Sequence, residues 1–123
     1  MTQIAFVKTQ DRAAGIEKAL DLLGFGDLDD QRVFLKPNLN SADTFPGSTH
    51  NETLVGLIRQ LKARGAGAIT LGDRSGMGDT RRVMEQKGIF ALTEELGVRT
   101  IVFDDLDADG WEMINLPGSH WKR

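Results

Sequence analysis

Short apolar runs alternate along the chain with longer amphipathic stretches. The runs lie at residues 4–7, 32–36, 68–71 and 98–103, and each has the length of a buried strand. Residues 11–23 carry apolar side chains at helical spacing, and Gly24 follows them as an expected C-terminal cap. The alternation predicts a three-layer α/β fold, with a mainly parallel sheet of at least four strands and helices on both faces.

Polar residues mark where the later helices should begin. Thr49, with Glu52 three residues on, matches a capping box and predicts a helix start at that point. Asp79 is the expected cap of a third helix, which Gly88 should kink. These signals put each helix between two predicted strands, as in βαβ units.

The length of 123 residues fits a single domain spanning residues 1–123. The formal net charge of -3 argues against a nucleic-acid partner, because binding phosphates requires clustered Lys and Arg. The chain has no cysteine, which excludes disulfides and an iron–sulfur cluster ligated by this chain. No secretory signal and no apolar stretch of about 20 residues is present, so we expect a cytoplasmic protein without a membrane partner.

Polar side chains follow the predicted strands at their carboxyl ends, where open parallel sheets bind ligands. Lys36 and Asn38 follow the second strand. Lys36 is either an anion-binding charge or a lysine that reaches solvent from a strand end. Asn38 is either a ligand donor or an ordinary turn residue. Both residues therefore enter the predicted ligand site with a structural alternative.

The loop after the third strand holds the next candidates, which are Asp73, Ser75, Gly76 and Gly78. A glycine loop before a helix can form an anion-binding nest from its backbone N–H groups. The loop begins like a dinucleotide fingerprint, but Arg81 stands where the third glycine belongs. Asp73 is a candidate ligand of a divalent metal or a turn aspartate, and it repels an anion unless a metal or Arg74 neutralises it.

Ser48, Thr49 and His50 stand at the predicted start of the second helix, where free N–H groups attract anions. His50 is also a candidate acid–base group, although a lone histidine is commonly a surface or capping residue. Further along, Asp105, Asp107 and Asp109 match half of a calcium loop, but Leu116 occupies the position that requires Glu. A solvated acidic turn explains that segment better.

Four motifs in this order resemble one known family. They are Ala5-Phe6-Val7-Lys8, Phe34-Leu35-Lys36-Pro37-Asn38, Pro46-Gly47-Ser48-Thr49 and Gly72-Asp73-Arg74-Ser75-Gly76. Over about residues 4–104 the chain resembles the N-terminal part of the domain of unknown function 362 family. Members are usually longer and many carry a ferredoxin-like segment with iron–sulfur clusters. The resemblance therefore implies a part of a longer domain, strengthens the site at Lys36, Asn38, Asp73 and Ser75, and supplies no reaction.

Two functions are compatible with these features, and the sequence leaves open whether the chain is an enzyme. The first is binding of a small anionic ligand, with or without a divalent metal, at the strand ends. The second is a non-catalytic binding or assembly module, a half-domain that needs a partner, which the family resemblance extends to iron–sulfur redox proteins. Trp111 and Trp121 near the end either pack on the core or cover a partner, and together with the short extent of the chain they favour self-association or a partner chain.

Overall fold

The computed structural model describes residues 2–114 and 117–118. Three strands form one sheet: β1 (Arg32–Leu35), β2 (Ala68–Asp73) and β3 (Arg99–Val102). Four helices accompany them: α1 (Arg12–Leu22), α2 (Asn51–Ala63), α3 (Thr80–Gln86) and α4 (Ile89–Glu95). Two short 3-10 turns, Phe103–Asp105 and Ala108–Gly110, follow β3. Within this described part, no helix combines the length and the apolar character needed to cross a membrane.

The sheet is parallel throughout, with the order β1-β2-β3. Val33 pairs with Ile69, and Gly72 pairs with Ile101. Each pair of neighbouring strands is joined by a helical crossover, which is the connection that parallel neighbours require. The prediction of an α/β fold with a parallel sheet is confirmed, and three of the predicted strands lie where the apolar runs put them.

The predicted first strand, residues 4–7, is not a strand in the structure. Ile4 and Phe6 are 87% and 88% exposed, whereas Ala5 and Val7 are half-buried. None of the described residues before Thr9 makes a backbone hydrogen bond in a turn, a loop or the sheet. The period of two in exposure is that of an extended chain, but no residue that the structure describes pairs with it. The described residues therefore contain three strands rather than at least four.

The hydrophobic core lies on one face of the sheet. Ile69, Leu71 and Val102 join a single buried cluster with Leu54 and Ile58 of α2, and with three side chains from the following helices: Val83, Met84 and Ile89. α1 packs on α2 and contributes no buried residue to that cluster. The predicted helices on both faces are not observed, because both crossovers step in the same direction across the sheet. Right-handed crossovers that step the same way put their helices on the same face.

Two helix boundaries differ from the sequence prediction. The N-cap of α2 is His50, whose Nδ1 accepts a hydrogen bond from the Glu52 backbone N–H at 3.1 Å. Thr49 lies one residue earlier, so the predicted capping box does not form. The third predicted helix is two helices, because Gly88 has a φ of 67° and ends the first of them. Asp79 caps α3 as predicted, by accepting from the Arg82 N–H.

Candidate functional site

The centre of the predicted site is a buried carboxylate at the end of β2. Asp73 is 1% exposed. Its Oδ1 accepts a hydrogen bond from Lys36 Nζ at 2.5 Å, and its Oδ2 accepts one from the Leu39 backbone N–H at 2.7 Å. Asp73 therefore ties the segment that leaves β1 to the end of the neighbouring strand.

The two partners of this ion pair differ in their access to solvent. The Lys36 side chain is 60% exposed, whereas that of Asp73 is 2% exposed. Burying a carboxylate is costly unless it is paired and hydrogen-bonded, and Lys36 and Leu39 satisfy that requirement. A lysine ammonium has three N–H donors, and Asp73 occupies one of them. The ion pair with Asp73 holds the Lys36 ammonium, with its two remaining N–H donors, at a fixed place on the sheet edge.

The glycine loop after β2 is fastened to the same segment by Asn40. The Gly76 N–H donates to Asn40 Oδ1 at 3.1 Å, and the Ser75 hydroxyl donates to the Asn40 carbonyl at 2.5 Å. The Met77 N–H also donates to that carbonyl, at 3.1 Å. Two N–H groups of the predicted anion nest are thus bonded within the chain. Gly78, with a φ of 142°, lies beyond them.

A third link joins the glycine loop to the residues that follow β3. The Ser75 N–H donates to Thr80 Oγ1 at 2.9 Å, and the Thr80 hydroxyl donates to the Asp104 carboxylate. Arg74 Nε lies 2.8 Å from the other oxygen of Asp104. Arg74 therefore neutralises Asp104 and not Asp73, whose counter-ion is Lys36. The exits of all three strands are joined by side-chain hydrogen bonds.

The remaining predicted residues gather at the start of α2. Asn38 and Thr49 exchange two hydrogen bonds: the Asn38 N–H donates to Thr49 Oγ1 at 2.9 Å, and the Thr49 N–H donates to the Asn38 carbonyl at 2.8 Å. Ser48 is buried and donates to the Ser41 carbonyl at 2.8 Å. Because His50 Nδ1 accepts a hydrogen bond, the neutral ring carries its proton on Nε2.

A cavity of about 270 Å³ lies beside this group. Its lining residues are Asn38, Phe45, Pro46, Ser48, Thr49, His50 and Thr53. A second cavity of about 330 Å³ shares Phe45, Thr49 and His50 and adds Lys87. The largest one described, of about 580 Å³, lies between α1 and α2 and is lined by none of the predicted site residues.

The predicted residues thus form two groups along the carboxyl edge of the sheet. Lys36, Asp73, Ser75 and Gly76 belong to the network around the end of β2, and Asn38, Ser48, Thr49 and His50 line the cavity at the start of α2. The sequence analysis missed Asn40 and Thr80, which connect the loops. Asn in a polar loop and Thr at a helix start are common for local reasons, so neither gave a separate signal.

A metal at Asp73 would compete with partners that are already in place. Both carboxylate oxygens accept hydrogen bonds, and displacing Lys36 or the Leu39 N–H would leave a donor unsatisfied. Over residues 2–114 and 117–118, no group of three His, Asp or Glu side chains is arranged to hold a metal ion. Asp105 and Asp109 lie in the 3-10 turns, Asp107 caps the second of them by accepting from the Gly110 N–H, and Leu116 falls outside the described residues.

Fold and site define a parallel α/β protein with an internally hydrogen-bonded polar edge. The chain belongs to the family described as Domain of unknown function (DUF362), whose model matches residues 33–123. The match begins in β1 and includes every predicted site residue, but not the motif at residues 5–8. It also extends past residue 104, where the sequence resemblance was expected to stop. No curated protein and no solved structure matches the chain.

Proposed function

We propose that this protein binds a small anionic ligand at the carboxyl edge of its sheet, with Lys36 as the principal cation. The observation that carries the proposal is the asymmetric ion pair, in which buried Asp73 lies 2.5 Å from the ammonium of Lys36, whose side chain is 60% exposed. A cation fixed in this way loses little further side-chain freedom when a ligand arrives, which lowers the entropic cost of binding.

Asn38, Thr49 and His50, which line the cavity at the start of α2, supply the neutral hydrogen-bond donors of this proposal. The Asn38 side-chain amide and the Thr49 hydroxyl donate no hydrogen bond within the described residues, and His50 keeps one ring N–H. The cavity they line, of about 270 Å³, lies just below the usual range of ligand pockets. The fitting ligand is therefore a phosphate, a carboxylate or a small molecule that carries one such group.

Ser75, Gly76 and Ser48 have supporting roles in this proposal. Their polar groups bond to Asn40 and Ser41, so they shape the loops rather than meet the anion. Within the loop that follows β2, the Gly76 N–H donates to Asn40, whereas the Gly78 N–H donates no hydrogen bond among the described residues. A divalent cation would act by bridging the ligand to the edge rather than by replacing Lys36 at Asp73. Titration with phosphate, in the presence and in the absence of magnesium, distinguishes these two modes.

The test is a phosphate titration followed by amide chemical shifts, with and without magnesium. We expect the shifts of residues 36, 38, 49 and 50 to move together and to give one dissociation constant. Lys36→Ala should weaken binding by about tenfold, which corresponds to about 1.4 kcal/mol. Lys18→Ala is the matched control, because Lys18 is an exposed lysine on α1 without an ion pair in the described residues. Equal affinities for wild type and Lys36→Ala would contradict the proposal.

A second candidate function is that of a non-catalytic assembly module, which needs a partner chain. It is favoured by the exposed sheet face opposite the core, where Phe34 remains 50% exposed. Parallel sheets are ordinarily covered on both faces. An enzymatic role for the first candidate requires a substrate, which the anion titration would begin to define.

A further inference from the structure

The two cavities at the start of α2 meet at an exposed aromatic ring. Both of them, of about 270 and 330 Å³, are lined by Phe45, Thr49 and His50, so they adjoin at these three residues. Each cavity alone lies near the lower limit of a ligand pocket, which is about 300 Å³. A ligand that extends from one cavity into the other therefore has room for a second chemical group beside its phosphate or carboxylate.

The ring of Phe45 is an apolar surface that the core does not use. Phe45 is 58% exposed and does not belong to the hydrophobic cluster on the sheet. Its ring meets the His50 ring edge-on, with centroids 6.1 Å apart, and the Arg12 guanidinium lies over it at 5.4 Å from the centroid. These two contacts orient the ring beside the cavities and leave more than half of the residue exposed.

The charges around these cavities suit an anion. Among the described residues that line them there is no Asp or Glu, although the chain has 18 acidic residues. Lys87 lines the larger of the two, where its Nζ donates to the Asp43 carbonyl at 3.0 Å and forms no ion pair within the described residues. By contrast, Asp11 and Glu52 line the cavity between α1 and α2. An aromatic ring, neutral donors and a cation thus share one space.

We propose that the ligand of this site carries an aromatic ring next to its anionic group, and that this ring packs on Phe45. The inference rests on the anion-binding function proposed above and names the chemical class of the ligand, which is an aromatic acid. Its anionic group meets the Asn38 amide, the Thr49 hydroxyl and the remaining ring N–H of His50. Its ring lies against Phe45, and aromatic pairs gain more free energy than the buried area alone provides.

The alternative role for Phe45 is purely structural. Single exposed apolar residues are normal on protein surfaces, and the contacts with Arg12 and His50 would simply hold the loop against the start of α2. Under this alternative, replacing Phe45 changes the stability of the protein, and the affinity for an anion does not depend on whether the anion carries a ring. The ligand preference of wild type therefore distinguishes the two roles.

Titrations with phenyl phosphate and methyl phosphate, followed by amide chemical shifts, test the inference. In wild type, phenyl phosphate should bind about tenfold more tightly than methyl phosphate. Phe45→Ala should bring the two affinities within about twofold of each other and should leave the affinity for inorganic phosphate within about twofold of wild type. Phe25→Ala is the matched control and should keep the wild-type preference, because Phe25 is an exposed phenylalanine that lines neither cavity.

Benzoate and acetate provide the same comparison for a carboxylate. A ring preference in either pair of ligands supports the inference, and the pair that shows it identifies the anionic group. Equal affinities within both pairs, or a preference that persists in Phe45→Ala, would overturn the inference and leave anion binding in place. The proposed function fails by a different result, in which Lys36→Ala leaves the affinity for inorganic phosphate unchanged. The two failures are therefore distinguishable.

Discussion

The carboxyl edge of the sheet and the sheet face opposite the core, which we call the open face, differ in how fully their side chains are bonded or buried. At the edge, Asp73 is buried with two hydrogen bonds, and Asn40 and Thr80 close the loops around it. Among the described residues, no buried side-chain nitrogen or oxygen lacks a partner. On the sheet face opposite the core, Phe34 and Trp111 each pack against the ring of Phe103, and both stay about half exposed.

This difference shows which residues the fold requires and which it leaves available. Removing a buried acceptor leaves its donor unpaired, so the edge network contributes directly to stability. A half-exposed ring contributes much less, because it keeps much of its contact with water. Lys36 shares features of both regions, because it is paired with a buried carboxylate while most of its side chain is exposed. The following changes test the comparison, from the largest expected effect to the smallest.

Truncating a core residue and an open-face residue of the same sheet should give very different losses. Leu71→Ala removes a fully buried side chain and should lower the free energy of unfolding by about 3 kcal/mol. Phe34→Ala removes a larger side chain, but we expect a loss of about 1 kcal/mol, because half of it is already exposed. Urea unfolding of both variants measures this. Equal losses would mean that the open face is covered in solution.

Removing the carboxylate of Asp73 should be the next largest effect. Asp73→Ala leaves the Leu39 N–H without its acceptor, and we expect a loss of about 2 kcal/mol in urea unfolding. Asp109→Ala is the control, because that exposed carboxylate makes no ion pair in the described residues. Surface changes of that type stay within about 0.5 kcal/mol. If the two variants unfold alike, Asp73 does not anchor the edge.

Asn40 should matter through its side-chain oxygen alone. Asn40→Ala deletes the acceptor of the Gly76 N–H, and we expect a loss of about 1 kcal/mol together with faster amide exchange at Gly76. Asn40→Asp keeps an oxygen at that position and should retain most of the protection. Unchanged exchange at Gly76 in Asn40→Ala would show that the glycine loop is held by other contacts.

The smallest effect should come from the cap of α2. His50→Ala removes the acceptor of the Glu52 N–H and should cost about 0.5 to 1 kcal/mol. His50→Asp should restore or exceed the wild-type stability, because aspartate is a better N-cap and its charge suits the start of a helix. Thermal unfolding of both variants measures the difference. If His50→Asp is as unstable as His50→Ala, His50 has a role beyond capping.

The sequence predicted the parts of the fold that depend on local pattern. The runs at 32–36, 68–71 and 98–103 became strands, and Asp79 caps α3 as expected. The run at residues 4–7 has the same pattern but no partner strand among residues 2–114 and 117–118, because pairing depends on a free strand edge that a local pattern does not reveal. The one-sided core follows from the strand order, which periodicity does not give.

For the candidate site, the sequence predicted where the residues lie but not which of them contact each other. Lys36 and Asp73 were expected at one edge because parallel strands bring their carboxyl ends together. The ion pair between them was not predicted, since the two residues are 37 positions apart in the chain and meet only when their strands lie side by side. Arg74, which the sequence offered beside a metal as a group that could neutralise Asp73, contacts Asp104 instead. The cap at His50 was not predicted, because threonine is the more common N-cap. In the structure, the Thr49 hydroxyl instead accepts a hydrogen bond from the Asn38 N–H.

The central claim is that Lys36, the counter-ion of buried Asp73, is the cation that binds the anion, and phosphate affinity across three proteins tests it most directly. Asp73→Asn keeps an acceptor for the Leu39 N–H but removes the charge that competes for Lys36, so phosphate should bind about threefold to tenfold more tightly. Adding Lys36→Ala to that variant should reduce the affinity below that of wild type. If the double variant binds phosphate as tightly as Asp73→Asn alone, Lys36 is not the anion-binding cation and the account is wrong.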